Sequence, residues 1–294
     1  MPELPDIEVY LEAMARRFRG SPLRQLRLLN PFVLRTVKPP VEAFIGRSVS
    51  ALRRIGKRIV IGFGDDHFAV IHLMIAGRLR WLAPGKKPPA RLALAAFEFD
   101  QGTLVLTEAG SKRRATLLLI QGEDHLRALD PGGLELDQIS LAQFGERLRA
   151  HNHTLKRALT DPRLFAGIGN AYSDEILHRA RLSPLALTGK LTPERVATLF
   201  ESCREVLSEW TRRLRAEVGE GFPEKVTAFR PEMAVHGRFG LPCPVCRAPV
   251  QRIVHANNEV NYCARCQTSG KLLADRALSR LLHQNWPKDI DELM

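Results

Sequence analysis

Four cysteines near the end of the chain, Cys243-x2-Cys246-x16-Cys263-x2-Cys266, restrict its folding more than any other feature. Two Cys-x2-Cys knuckles at this separation read as a tetrahedral metal site with four thiolate ligands, the pattern of structural zinc. A short, loop-rich segment cannot bury enough apolar surface to hold itself, so the bound metal supplies the folding energy. One structural Zn2+ is therefore expected on Cys243, Cys246, Cys263 and Cys266. The fifth cysteine, Cys203, lies on the apolar face of a helical pattern and reads as a buried thiol.

The 294 residues suffice for two domains with a small metal-held appendage. An apolar fraction of 45% and a charged fraction of 26% are those of an ordinary globular protein. The formal net charge of +12 favours a polyanionic partner, either nucleic acid or an anionic membrane surface. Charge alone does not choose between DNA and RNA. No apolar run has the length of a membrane span, and the early acids Glu3, Asp6 and Glu8 do not fit a signal segment, so a cytoplasmic protein is expected.

Residues 6–19 carry a helical stripe, Ile7, Tyr10, Leu11, Met14 and Phe18, with Asp6 as the expected cap. From about Val49 to Ile120 the texture changes to short apolar runs separated by turns such as Gly64-Asp65-Asp66 and Asp100-Gln101-Gly102. That pattern predicts an antiparallel sandwich or barrel. Pro131-Gly132-Gly133 reads as a linker. Helical segments follow at 140–150, 153–161 and 171–181, the last with Asn170 as its expected cap. Thr192 and Pro193 then open a long helix with a core stripe running from Val196 to Leu214. Residues 271–284 predict one more amphipathic helix.

Several residues invite a chemical reading. Proline after Met1 is expected to become the mature N-terminus, a secondary amine. An α-amino group titrates near pH ~8, so a useful share is unprotonated and nucleophilic at neutral pH. Attack on a sugar C1′ would give an iminium, and Glu3 beside it can protonate the ring oxygen. Gly167-Ile168-Gly169 ahead of Asn170 reads either as a phosphate-binding turn or as an ordinary helical corner. Lys57, just before a strand, reads either as a phosphate contact or as a solvated lysine. His72 reads as a core histidine.

In order along the chain, these motifs resemble the formamidopyrimidine-DNA glycosylase and endonuclease VIII family of base-excision repair enzymes. Met1-Pro2-Glu3-Leu4-Pro5-Asp6-Ile7-Glu8 resembles its MPELPEVE start, and His72-Leu73-Met74-Ile75-Ala76-Gly77 its HLGMxG segment. Gly167 to Glu175 resembles VGVGNIYASE, and Val235-His236-Gly237-Arg238 resembles VYGR. The resemblance implies an α+β multidomain fold: an N-terminal β-sandwich with a flanking catalytic helix, then a helical helix–two-turn–helix domain with a four-cysteine zinc finger. Expected limits are 1–130 for the sandwich, 134–230 for the helical domain, 235–269 for the finger and 270–294 for a helical extension.

By the same resemblance, Pro2 is the nucleophile, Glu3 the general acid and Lys57 a phosphate contact that assists β-elimination, while Asn170 and Lys156 contact DNA. A lesion buried in duplex must be flipped out, so side chains that fill the gap are expected. Here the sequence departs from the pattern. The gap-filling methionine aligns with Ile75, and Met74 lies one place early. The DPRRFG loop is replaced by a segment in which Arg113 or Arg114 is the wedge candidate. Asn258 stands where the family's finger has a phosphate-gripping arginine, which predicts poorer δ-elimination.

The expected function is a bifunctional glycosylase and AP lyase for oxidised or ring-opened bases. It would be a bacterial, nucleoid-associated monomer acting on damaged double-stranded DNA, with no membrane partner. Two alternatives follow from the departures. One is a DNA-binding protein of the same fold with lost or narrowed catalysis. The other is a glycosylase for single-stranded or crosslinked DNA.

Overall fold

A computed structural model of the chain describes residues 1–110, 112–255, 258–275 and 287–293, leaving aside the side chains of His255, Asn258 and Leu293. It divides into two compact units: Met1–Pro131 with Trp210–Thr227, and Gly132–Glu209 with Ala228–Met294. Among the described residues no helix is long and apolar enough to cross a membrane.

The first unit opens with helix α1 (Leu4–Phe18). Its N-cap is Glu3, not the expected Asp6. Pro5, whose fixed φ suits a first turn, draws the helix start forward, and Asp6 becomes the third helical residue. From there its Oδ2 accepts the Glu3 backbone N–H at 2.9 Å. Eight strands follow: β1 (Gln25–Leu28), β2 (Val49–Ile55), β3 (Arg58–Phe63), β4 (His67–His72), β5 (Gly77–Leu82), β6 (Ala93–Phe99), β7 (Gly102–Glu108) and β8 (Thr116–Gln121). They form two four-stranded antiparallel sheets, ordered β1-β6-β7-β5 and β2-β3-β4-β8.

Alternation decides which side chains meet. Along β3, Ile59, Ile61 and Phe63 enter a core shared with Leu79, Phe97, Leu104 and Leu106 of the other sheet and with the stripe of α1. Val60 faces the opposite way, where Leu126 of the short helix α2 (Glu123–Arg127) covers it. The unit is therefore a β-sandwich with α1 built into its core.

The second unit is mostly helical: α3 (Leu141–Arg149), α4 (Leu155–Thr160), α5 (Asn170–Arg179) and α6 (Pro193–Val218). The predicted α6 stripe is buried throughout, from Val196 to Leu214, with Cys203 fully enclosed and its thiol pushed up by burial. Residues of α6 from Trp210 onward belong to the first unit. The cysteine-bearing segment contains a hairpin that periodicity did not predict, β9 (Gln251–His255) with β10 (Asn258–Tyr262), and a short helix α7 (Ala264–Thr268).

Residues 271–275 are not helical, and the rest of the helix expected at 271–284 lies outside the described residues. The chain end returns to the finger. Leu272 N–H donates to Lys288 O and Ile290 N–H to Gly270 O, both at 2.9 Å. Ile290 is buried in one cluster with Cys243, Val250, Tyr262 and Cys263.

Candidate functional site

Around the start of α1 the first unit gathers an unusual set of charges. Pro2 is buried and Glu3 is only 2% exposed. Lys57 reaches the same place from the two-residue turn between β2 and β3, where Gly56 supplies the positive φ such a hairpin needs. Burial holds the Lys57 ammonium below its ordinary value, with Glu3 acting in the opposite sense. The N-terminal amine, on Met1 in the full chain, is also held below its ordinary value of 8.0. Burial is the main cause, Arg78 and Lys57 add to it, and Glu3 and Asp6 oppose it. His72, next to Thr116 and Arg58 in the sheet, is lowered to about 4 by burial first and then by Arg58 and Lys57.

The turn joining β4 to β5 presents the residues aligned with the gap-filling position. Met74 has φ 52°, a left-handed conformation that a side chain adopts at a cost, and it stands where the resembled pattern has glycine. Ile75, one residue on, is 63% exposed. Gly77 closes the turn with an N–H to Leu73 O of 2.8 Å, and a Cβ there would lie 2.3 Å from that oxygen. Arg78 fixes the turn from below. Its Nη1 donates to the carbonyls of Ile75 (3.1 Å) and Gly77 (2.7 Å), and its Nε to Val226 O (2.6 Å).

Arg113 and Arg114 are both exposed on the loop between β7 and β8. The buried carboxylate of Glu108 closes that loop by accepting the backbone N–H groups of Arg114 (2.8 Å) and Ala115 (2.9 Å). The Arg113 guanidinium donates to Arg91 O at 2.5 Å.

In the second unit, α5 carries a polar ladder at helical spacing. Gly169 is its N-cap, so Asn170, the expected cap, is the first helical residue. The Asn170 side chain therefore does not cap the helix, and its Nδ2 donates to Glu259 O at 2.9 Å. One turn on, Asp174 accepts from Lys156 Nζ (2.5 Å) and from Asn261 N (3.2 Å), and lies 2.8 Å from His236 Nδ1. Lys156 is thus a buried, paired ammonium that also donates to Asn170 O at 2.6 Å. Glu175 accepts three consecutive backbone N–H groups, of Ala234 (2.7 Å), Val235 (2.9 Å) and His236 (2.9 Å). Another turn on, His178 Nε2 lies 3.3 Å from Cys243 Sγ. Sequence reading missed this ladder. Its trace was the run Ser173-Asp174-Glu175, polar in a helix buried on every side.

The four cysteine sulfurs lie within 4.8 Å of one another. Separations of 3.9 Å for Cys243–Cys266 and 3.3 Å for Cys246–Cys263 exceed a disulfide, and they bracket the ~3.8 Å edge of a thiolate tetrahedron around zinc. With His178 Nε2 within 3.3 Å of one of these sulfurs, the donor set suits one Zn2+ in a structural role. Asn258 begins β10 opposite His255, and its side chain lies outside the described residues. Arg252, opposite Asn261, stacks over Phe239 with its guanidinium 4.2 Å from the ring centroid and lies 3.4 Å from Glu259 Oε2.

The β-sandwich with its proline-acid start, the helical unit and the four-cysteine finger define a multidomain zinc-finger class of protein. Sequence profiles agree along the chain. The formamidopyrimidine-DNA glycosylase N-terminal domain matches residues 1–116, the formamidopyrimidine-DNA glycosylase H2TH domain residues 129–216, and the zinc finger found in FPG and IleRS residues 240–268. The formamidopyrimidine-DNA glycosylase of Heliobacterium modesticaldum is 32% identical over 280 residues, covering 91% of this chain and all of that protein. An uncharacterized formamidopyrimidine-DNA glycosylase-like protein of Mycobacterium tuberculosis is 44% identical over 161 residues, 55% of this chain and 98% of its own. The solved complex of wild-type Lactococcus lactis Fpg with DNA containing an oxidized pyrimidine superposes with a TM-score of 0.79 at 25% identity, covering 91% of this chain and 100% of that one. The chain belongs to the formamidopyrimidine-DNA glycosylase family.

Proposed function

We propose that the protein is a bifunctional DNA glycosylase and AP lyase acting on oxidised or ring-opened bases in duplex DNA. Once Met1 is removed, the Pro2 nitrogen attacks C1′ of the damaged nucleotide. The bond from C1′ to the base breaks, Glu3 protonates the opening sugar, and an iminium joins protein to DNA. Loss of a C2′ proton then expels the 3′ phosphate by β-elimination, with Lys57 contacting phosphate. Ile75 fills the gap left by the flipped base. We place Arg114 as the wedge, because Glu108 anchors its backbone and the Arg113 guanidinium already donates to Arg91 O. Asn170 contacts backbone phosphate, and Lys156 serves by fixing Asn170 and α5 rather than by offering an exposed charge. We assign residues 1–130 to the catalytic sandwich, 134–230 to the helical DNA-binding part, 235–269 to the finger and 270–294 to its extension.

One observation carries this reading: Pro2 and Glu3 are buried together at the start of α1, where burial also holds the Lys57 ammonium below its ordinary value. A site that disfavours charge on its amines leaves more of a nucleophile unprotonated at neutral pH. The test is borohydride trapping on abasic and lesion-bearing duplex. The wild-type protein should form a covalent adduct, and Pro2→Gly should slow its formation by about a hundredfold or more. The trapping rate should rise with pH as the Pro2 amine loses its proton. A DNA-binding protein without chemistry would bind the same duplex and trap nothing.

A further inference from the structure

Arg78 is named by no motif, yet its guanidinium ties the β4–β5 turn to the segment that follows α6. It stands at the start of β5, in register with Thr107, whose Oγ1 donates to the Arg78 carbonyl at 3.1 Å. Backbone ladder and hydroxyl together fix its Cα. Its guanidinium then spans three carbonyl oxygens on two chain segments: Ile75 and Gly77 in the exposed turn, and Val226 in the segment that follows α6. That segment lies along α1. Arg16 donates to Gly219 O (3.1 Å), Arg17 donates to Glu220 O (3.2 Å), and Phe222 packs against Tyr10 with ring centroids 5.7 Å apart. A planar fork with several N–H donors makes such a three-way tie, whereas a lysine ammonium on a flexible stem does not hold the same geometry.

We propose that Arg78 is the positioning residue that locks the Ile75 turn to the α1 side of the site, so that filling the DNA gap and presenting the N-terminal amine happen in one fixed geometry. The inference rests on the function proposed above. The turn has particular need of such a lock. It contains a left-handed Met74 and exposes Ile75, so its own backbone preferences do not hold it in place. Arg78 also contributes a second, separable effect, its charge. At the Met1 amine of the full chain burial acts first, Arg78 and Lys57 then favour the neutral form, and Glu3 and Asp6 oppose it.

Two variants separate the lock from the charge. Arg78→Lys keeps the charge and loses the fork, and Arg78→Met loses both. Trapping is measured on an abasic site in duplex and in single-stranded DNA, because only the duplex has a stacked gap for Ile75 to fill. Arg78→Lys should slow trapping on duplex by about tenfold and leave single-strand trapping within about twofold of wild type. Arg78→Met should slow both, with the pH profile of trapping moved to higher pH. Equal losses on both substrates for Arg78→Lys, or none on duplex, would overturn the proposal. A 2-aminopurine opposite the abasic site reports gap filling without chemistry. A wild-type protein that changes this fluorescence but traps nothing would count against the proposed lyase while leaving Arg78 to be judged on the fluorescence. There, Arg78→Lys should weaken the change, and an unaltered change would refute the lock. If Arg78→Met fails to fold, Arg78→Lys alone decides.

Discussion

The sandwich and the finger are held together by different forces. In the first unit, apolar side chains from two sheets and α1 share one core, with Phe18, Phe44, Phe63 and Phe97 all fully enclosed. Around the finger, the apolar cluster is small and four thiolates sit inside it. The rest of the finger's attachment is polar: Asn170, Asp174, Glu175 and His178, on successive turns of α5, each engage the segment that carries the cysteines or the residues just before it. An apolar core tolerates changes of solvent chemistry that a metal-and-ion assembly does not. The proposed catalytic residues sit on the apolar-cored unit, and the four cysteines sit on the other.

The largest effect should come from the metal. Thiolate zinc contributes on the order of 10 kcal/mol to folding in small fingers. Chelation, or Cys263→Ser, should therefore unfold the finger and abolish DNA binding while the sandwich keeps its cooperative melt. A single melting transition lost as a whole on chelation would erase the distinction drawn here. Next come two single replacements of similar cost and different character. Asp174→Asn removes the partner of the buried Lys156 ammonium and should destabilise the second unit by about 3–5 kcal/mol, recoverable in part by Lys156→Met. Phe97→Ala opens a cavity in the sandwich and should cost about 3–5 kcal/mol, with no such rescue available. Denaturant titration of the single and double variants reads both. The smallest effect is a gain. Met74→Gly relieves a left-handed φ and should stabilise the first unit by about 1 kcal/mol, seen as a raised melting temperature.

The same contrast governs what the sequence disclosed. Apolar periodicity located α1, α6 and the strands running from Ile59 to Ile120, because burying a stripe is what sets those elements. Its signal is weakest at β5, where Arg78 and Arg80 alternate with buried positions and lower the apparent hydrophobicity. The cysteine spacing announced a metal site but not the hairpin between its knuckles, which few apolar residues mark. Polar contacts were the least legible. Asn170 was expected as a cap and lies one residue inside the helix, with its amide on Glu259 instead. Lys156 was read as facing DNA, yet its Nζ pairs with Asp174, a partner 18 residues away that no spacing rule connects to it. Hydrogen-bond partners depend on tertiary placement, so only the three-dimensional fold shows them.

The chemical claim at the N-terminus is tested most directly by locating the covalent bond. After borohydride reduction on abasic duplex, the trapped protein is digested and the DNA-bearing peptide sequenced by mass spectrometry. The account predicts a chain from which Met1 has been removed and a reduced sugar carried on the nitrogen of Pro2. An adduct on Lys57 or any other lysine, or on a retained Met1, would contradict it.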